Sequence, residues 1–189
     1  MIRIGVLGDI GSGKSYVAQS FGYPVFNADE EVAKLYQKDR KIFNKLKKIL
    51  PNYIYSFPIQ KREILNAILS NKNNLKKIVK IVHLEIRKKM NVFLKKNKKS
   101  ELIILDIPLL LENKINKKKD ILIYVHSKKD KVLKRLKKRK NFNQVLLDKF
   151  KAIQLPPAYK KNKSHYIIKN DFTKKSVKDG IKHILRKII

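Results

Sequence analysis

The feature that most constrains this chain is a glycine-rich turn between a short apolar strand and a helix. Residues 8–15 read Gly-Asp-Ile-Gly-Ser-Gly-Lys-Ser and fit the pattern G-x-x-x-x-G-K-S/T at every fixed position. Residues 2–7 predict the strand, and residues 15–21 predict a helix that stops at Gly22 and Pro24. Such a loop turns its backbone N–H groups towards an anion, and the helix N-terminus adds the positive end of its dipole. We therefore predict a nucleotide-binding loop in which Lys14 reaches the β- and γ-phosphates and Ser15 ligates Mg²⁺.

Length and composition limit the classes of protein to which the chain can belong. A chain of 189 residues is long enough for one domain with a small insertion. There is no run of eighteen apolar residues and no signal-peptide layout at the N-terminus, so we expect no membrane partner. The chain has no cysteine, and its four histidines lack metal-ligand spacing. We expect a cytoplasmic protein, monomeric or weakly oligomeric, without a zinc site.

The charge is unusual, with 47 Lys and Arg against 15 Asp and Glu, a formal net charge of +32. The lysines are spread from Lys34 to Lys187, and the accompanying richness in Asn and Ile is typical of A/T-rich codons. Diffuse charge of this kind is weak evidence for a nucleic-acid site, so a nucleic-acid partner is not expected. The same surface would attract a polyanionic small substrate.

Strand and helix signals alternate along most of the chain. Apolar segments at 24–27, 101–106, 120–126 and 166–170 predict strands, and residues 173–189 predict a closing helix. Ser127-x-x-Asp130 resembles a capping box that opens a helix running to about Arg139. This alternation predicts an α/β fold with a parallel, doubly wound sheet and right-handed crossovers.

The stretch from 38 to 98 interrupts this alternation with helical periodicity and no convincing strand. We predict that residues 38–99 are an inserted helical substrate domain. Residues 1–37 and 100–189 then form the core, and within the core residues from about 135 to 160 form a lid.

Four side chains are candidates for chemistry or binding beyond the loop. Asp29 follows the second strand and either accepts a proton from an attacking hydroxyl or caps the helix that begins there. Asp106 ends an apolar strand and either holds Mg²⁺ or bonds to loop backbone. Arg135 and Arg139 lie four residues apart, hence on one face of a helix, and either clamp phosphates as a lid or are solvated.

These segments together resemble the dephospho-CoA kinase family, which phosphorylates the ribose 3′-hydroxyl of dephospho-CoA. Residues 8–15 are similar to the family's G-G-I-G-S-G-K-S, with Asp9 in place of a glycine. Residues 106–112, D-I-P-L-L-L-E, are similar to its D-I-P-L-L-F-E, and residues 27–29, N-A-D, to its D-A-D. Residues 166–170, Y-I-I-K-N, resemble its Y-V-I-x-N segment near the adenine. The likeness spans almost the whole chain in the right order.

Further matches and departures accompany these motifs. Arg62 and His83 fall on family positions in the insertion, and Arg135 and Arg139 match the lid's R-L-x-x-R. Gln154 matches a downstream glutamine. The departures include an asparagine, a leucine and lysines where the family has aspartate, proline and arginines: Asn27, Leu84, Lys149 and Lys161. Lysine offers a point charge and not arginine's bidentate fork, so we expect weaker affinity for ATP or the acceptor.

The resemblance implies a three-layer α/β/α fold of the P-loop kinase type with a parallel five-stranded sheet. It implies ATP-dependent phosphorylation of dephospho-CoA, with ATP and Mg²⁺ required. The implied catalytic residues are Asp29, Lys14 and Arg139. The implied ATP-binding residues are Gly11, Ser12, Gly13, Lys14, Ser15, Tyr16, Arg135 and Asn170. The implied acceptor-binding residues are Asp29, Arg62, His83, Pro108, Leu109 and Glu112, and the implied metal ligands are Ser15 and Asp106.

Three alternatives remain open at this stage. A nucleoside or nucleoside-monophosphate kinase shares the fold and the loop. A basic nucleic-acid-binding module could use the loop as a nucleotide-gated switch. A degenerate relative could bind ATP without turnover.

Overall fold

The computed structural model describes residues 1–140 and 142–189, except for the side chain of Lys72, and contains two compact units. The sheet unit consists of Met1–Asn27 and Asn97–Ile189, and the helical unit consists of Ala28–Lys96. The predicted lid, residues 135–160, contains position 141, which lies outside the described residues.

The first half of the described chain forms β1 (Ile2–Gly8), α1 (Lys14–Ser20), β2 (Val25–Asn27), α2 (Ala28–Lys38), α3 (Arg40–Ile49), α4 (Lys61–Ser70) and α5 (Lys72–Lys96). The second half forms β3 (Leu102–Asp106), β4 (Ile121–His126), α6 (Lys129–Lys137), α7 (Gln144–Ala152), α8 (Pro157–Asn162), β5 (Tyr166–Lys169) and α9 (Lys174–Ile188).

The strands form one parallel five-stranded sheet in the order β2-β3-β1-β4-β5. The predicted α/β class and the five parallel strands are confirmed. All five residues of β3 are buried, as expected for a parallel strand covered on both faces. Because all strands run in one direction, the loops that follow them emerge at a single edge of the sheet.

Apolar side chains cover both faces of the sheet. On one face, Val17 and Phe21 of α1 and Val177 and Ile181 of α9 pack into a cluster with alternate residues of the strands. On the other face, Leu110 approaches β1 so closely that a Cβ at Gly5 would lie 2.5 Å from its Cδ2. This packing fixes β1, and with it the start of the loop at Gly8.

The helical unit contains α2 to α5 and begins at Ala28, before the predicted boundary at residue 38. The reason is that α2 packs against α3 and α5. The backbone N–H of Ile59 also donates to the carbonyl of Tyr36 at the end of α2 (2.9 Å). The first helix after β2, which carries Asp29, is therefore part of this unit. None of the helices in the described part of the chain has the length and hydrophobicity that a membrane crossing requires.

Candidate active site

The phosphate loop connects β1 to α1 as predicted, and its glycines cannot be replaced without strain. Gly11 and Gly13 have φ of 82° and 89°, the left-handed region that favours glycine. A Cβ at Gly11 would lie 3.0 Å from both Val132 and Leu136 of α6. A Cβ at Gly13, the N-cap of α1, would collide with the side-chain amide of Asn170. The loop therefore fits closely against α6 and the end of β5.

Two side chains hold the loop at a single carbonyl. Ser127 Oγ and Asn170 Nδ2 both donate to the carbonyl oxygen of Ser12, at 3.0 and 2.9 Å. Asn170, an implied ATP-binding residue, thus supports the loop itself. The capping box predicted for Ser127 and Asp130 is wrong, because α6 begins at Lys129 with Lys128 as its N-cap. The Ser127 hydroxyl is directed to the loop instead.

Two polar side chains of the loop, Lys14 and Ser12, differ in their hydrogen bonding. Lys14 Nζ donates to the carbonyl oxygen of Asp9 (2.9 Å), within the loop that it closes. Ser12 Oγ is buried and has no hydrogen-bond partner among residues 1–140 and 142–189. A buried hydroxyl without a partner is unusual, and an anion in the loop would satisfy it. The implied ligand Ser15 is the second residue of α1 and is exposed.

A buried lysine that the sequence reasoning did not assign lies behind the loop. Lys160 of α8 is 2 % exposed, and its Nζ donates to Gln154 Oε1 (3.0 Å) and the carbonyl of Gly8 (3.4 Å). It also forms an ion pair with the Asp9 carboxylate (3.4 Å). The dephospho-CoA kinase family that the sequence resembles usually has a lysine at this position, but in a chain with 47 Lys and Arg that match alone predicts no role.

The Asp9 carboxylate has a second partner in β4. The Tyr124 hydroxyl donates to Asp9 Oδ2 (3.3 Å). Burial, and then the charge and hydrogen bond of Asp9, raise the pKa of Tyr124 to about 12. Asp9, which replaces a family glycine, is thus bonded through both carboxylate oxygens to residues of the sheet unit.

Asp106 is the other implied metal ligand. It ends β3, is 3 % exposed and pairs in register with Asn27 at the end of β2. In the turn that follows β3, Pro108 and Leu109 are half-buried. Glu112 accepts a hydrogen bond from the backbone N–H of Leu155 (2.9 Å), between α7 and α8. Glu112 thus contacts the segment between α7 and α8, within the range predicted as the lid.

The two predicted lid arginines do not share a helix. Arg135 lies in the last turn of α6, and its guanidinium stacks over the Phe172 ring, 4.4 Å from Cζ to the ring centroid. Arg139 follows the C-cap Lys138 and lies in an exposed turn. The prediction that both occupy one helical face is wrong. A run of cations is as typical of a helix C-terminus, where it meets the negative end of the dipole, as of a helix interior.

Tyr16 follows Ser15 on α1 and is 44 % exposed. With Ser20 it lines a shallow open cleft whose other residues, Lys174 and Lys178, come from α9. The structure therefore places Tyr16 on the surface of α1 near α9.

The remaining predicted site residues belong to the helical unit. Asp29 is exposed in the first turn of α2, which begins one residue earlier, so the N-cap alternative is wrong. Glu30 and Glu31 lie in the same turn. Arg62 is exposed near the start of α4, and His83 is half-buried in α5.

Solved structures support the fold. The crystal structure of TT1252 from Thermus thermophilus superposes with a TM-score of 0.75 at 23 % identity, covering 100 % of this chain and 98 % of that one. A dephospho-CoA kinase from Campylobacter jejuni superposes with a TM-score of 0.61 at 20 % identity, covering 98 % and 96 %. At these identities the similarity establishes the shared architecture.

Sequence comparison establishes the family. A family model described as dephospho-CoA kinase matches residues 2–176. The dephospho-CoA kinase of Wolbachia sp. subsp. Brugia malayi (strain TRS) is 32 % identical over 187 residues, covering 96 % of this chain and 95 % of that protein. The family-model match spans the phosphate loop, the run of residues 106–112 that begins at the end of β3, and the end of β5. The chain therefore belongs to the dephospho-CoA kinase family.

Proposed function

We propose that this chain transfers the γ-phosphoryl group of ATP to the ribose 3′-hydroxyl of dephospho-CoA, giving coenzyme A and ADP. The observation that carries the proposal is the family match over residues 2–176, which includes the loop and the D-I-P-L-L-L-E run. The reaction is the last step of coenzyme A biosynthesis. The cytoplasm, where ATP is available, is the proposed location, and the proposed state is a monomer or weak oligomer.

The phosphate loop is the proposed donor site. The amides from Gly11 to Ser15 cradle the β- and γ-phosphates at the N-terminus of α1. Lys14 Nζ, which donates to the Asp9 carbonyl 2.9 Å away, turns from that carbonyl to the phosphates. The buried Ser12 hydroxyl gains an acceptor in the same step.

Asp29 is the proposed general base. The 3′-oxygen attacks the γ-phosphorus, its proton passes to the Asp29 carboxylate, and the bond to the oxygen that bridges the β- and γ-phosphates breaks. Its position two residues after β2, whose end shares the sheet edge with the loop, supports this role. Arg139, with Arg135, is proposed to stabilise the transferring charge.

Mg²⁺ is the proposed metal, with Ser15 and Asp106 as its protein-side groups. In the described part of the chain no three His, Asp or Glu side chains are grouped to hold a metal by themselves. A hydroxyl and one carboxylate nevertheless fit Mg²⁺, which takes most of its ligands from phosphates and water. When bound, the ion neutralises charge on the β- and γ-phosphates.

The proposed acceptor-binding residues are those that the resemblance implies: Asp29, Arg62, His83, Pro108, Leu109 and Glu112. Arg62 lies near the start of α4 and His83 in α5, and Pro108, Leu109 and Glu112 lie in the turn after β3. An exposed guanidinium such as that of Arg62 suits the diphosphate of dephospho-CoA.

A coupled assay of ADP release with a panel of acceptors tests the proposal. We expect release that depends on dephospho-CoA and is far slower with adenosine, AMP or deoxyadenosine. A preference for a nucleoside or a nucleotide would assign the chain to another kinase activity. No acceptor-dependent ADP at millimolar substrates would overturn the proposal.

Asp29→Asn is the variant that tests the general base. We expect kcat to fall by about 10²–10⁴-fold, the usual contribution of a positioned base. Glu30→Gln is the matched control, since it removes a charge from the same helical turn and should leave kcat near the wild-type value. Equal activity in Asp29→Asn and Glu30→Gln would refute the assignment.

A further inference from the structure

Asp9 places a carboxylate in a loop whose proposed ligand is an anion. Its carbonyl oxygen accepts from the backbone N–H of Ser12 (3.1 Å) and from Lys14 Nζ (2.9 Å), so Asp9 belongs to the hydrogen-bond network of the loop itself. The family that the sequence resembles has a glycine at this position. A negative charge here opposes the binding of phosphates, because like charges repel over the short distances of a single loop. The charge of Asp9 therefore has to be offset if the loop is to bind ATP well.

The buried Lys160 is the cation that meets this charge. Its Nζ lies 3.4 Å from Asp9 Oδ1, and its side chain is 3 % exposed. Its hydrogen bonds go to two neutral acceptors, the Gly8 carbonyl and Gln154 Oε1. Burying an ammonium is costly unless an opposite charge pairs with it. The ion pair with Asp9 thus accounts for the burial of Lys160, and Lys160 neutralises the carboxylate.

The second partner of the carboxylate supplies a hydrogen bond without a charge. The Tyr124 hydroxyl donates to Asp9 Oδ2, while Lys160 meets Oδ1. Both oxygens are therefore bound by β4 and α8, which belong to the same unit as the loop. Tyr124 fixes the direction of the carboxylate, and Lys160 supplies the compensating charge.

We propose that Lys160 is a positioning residue of the nucleotide site, which preserves the affinity of the phosphate loop for ATP by neutralising Asp9. Lys160 acts through Asp9, since its Nζ lies behind the loop on the Gly8 carbonyl. Without Lys160, the carboxylate would repel the phosphates and compete with them for the ammonium of Lys14, which already lies on the carbonyl of the same residue. The inference rests on the proposed function only in taking ATP as the ligand of the loop.

A double-mutant cycle on ATP binding tests the proposal. Calorimetry without acceptor measures the Kd of ATP for the wild type, Asp9→Asn, Lys160→Met and the double variant. We expect Lys160→Met to weaken ATP by about five- to fifty-fold, because an uncompensated carboxylate then lies in the loop. Asp9→Asn should tighten ATP by about two- to five-fold, because the charge of Lys160 is then no longer cancelled. The double variant should return to within about three-fold of the wild type.

The double variant separates charge compensation from mere support of the loop. It still lacks the donor to Gly8 and Gln154, so a role in support alone would leave its ATP affinity as low as that of Lys160→Met. That result would overturn the proposal. Should Lys160→Met fold poorly, Asp9→Asn decides by itself, and unchanged or weaker ATP binding in that variant would also refute the proposal.

Salt and a neighbouring lysine provide the controls. Because Asp9 is 39 % exposed, raising the salt from about 0.05 to about 0.5 M should narrow the gap between Lys160→Met and the wild type, and a constant gap would contradict a charge effect. Lys163→Met removes the same charge from the exposed C-cap of α8 and should change the Kd by less than about two-fold. An equal loss in both lysine variants would refute the role of the Asp9 pair. Failure of the proposed function would be seen separately, as absent acceptor-dependent ADP with ATP binding intact.

Discussion

The coupling free energy of the ion pair between Asp9 and Lys160 can be estimated from the structure. Two unit charges 3.4 Å apart interact by about 1 kcal/mol in bulk water and about 5 kcal/mol at an effective dielectric constant of about 20. The Lys160 side chain is 3 % exposed, but the Asp9 side chain is 39 % exposed, so water screens the pair. We therefore expect a coupling free energy of about 1–2 kcal/mol.

A double-mutant cycle measures this coupling. Asp9→Asn removes the charge and keeps an acceptor for the Tyr124 hydroxyl, and Lys160→Met keeps most of the stem. Urea unfolding of the wild type, both single variants and the double variant gives the four free energies. We expect Lys160→Met alone to cost about 2–4 kcal/mol, because the Gly8 carbonyl and Gln154 also lose their donor.

Lys161→Met is the control, because Lys161 lies in the same helix and is exposed. It should change the free energy of unfolding by less than about 0.5 kcal/mol. A coupling near zero, or equal effects of Lys160→Met and Lys161→Met, would show that the buried lysine does not brace the loop.

Three further variants test contacts around the site and in the core. Asn170→Ala should cost about 2–4 kcal/mol and raise the KM for ATP, because it removes a donor to Ser12; unchanged unfolding in urea would contradict this. Because hydrogen bonds from Ser176 and then Thr173 lower its pKa to about 2, ionised Asp171 contributes stability that is present above pH 4 and lost as the pH falls towards 2. Asp171→Asn should abolish this dependence of the melting temperature on pH. Parallel plots of melting temperature against pH for the wild type and the variant would refute it. Asp120→Ala should cost about 3–5 kcal/mol by leaving Arg3 buried and unpaired, and adding Arg3→Met should recover part of that loss in urea titrations; no recovery would argue against an ion-pair origin.

Most of the architecture could be predicted from the sequence because it depends on long periodic patterns. The uniformly apolar run before Asp106 predicted a strand covered on both faces, and β3 is fully buried. The helical periodicity between 38 and 98 predicted a block without strands, and α3, α4 and α5 occupy it.

The domain boundary could not be predicted, because periodicity does not say which neighbour a helix packs against. Helix α2 follows β2 directly in sequence but packs against α3 and α5. It therefore belongs to the helical unit, and this could be recognised only from the three-dimensional packing.

Several details of the site could not be predicted from the sequence, because a single polar residue can form its hydrogen bonds with several different partners. The spacing of Ser127 and Asp130 fits a capping box, but the Ser127 hydroxyl donates to the carbonyl of Ser12 in the loop. Arg139 continues the spacing of Arg135, yet the helix ends between them. The left-handed conformation of Phe172, with φ of 73°, depends on hydrogen bonds made by Asn170 and Asp171 and has no signal of its own in the sequence.

The most direct measurement is the position of the phosphate on the product. Phosphorus–proton correlation NMR of the product formed from ATP and dephospho-CoA should show a new phosphate coupled to the ribose H3′, and Asp29→Asn should form it far more slowly. A phosphate at any other position, or ADP release without a phosphorylated acceptor, would contradict the account of the loop and Asp29 as a 3′-hydroxyl kinase.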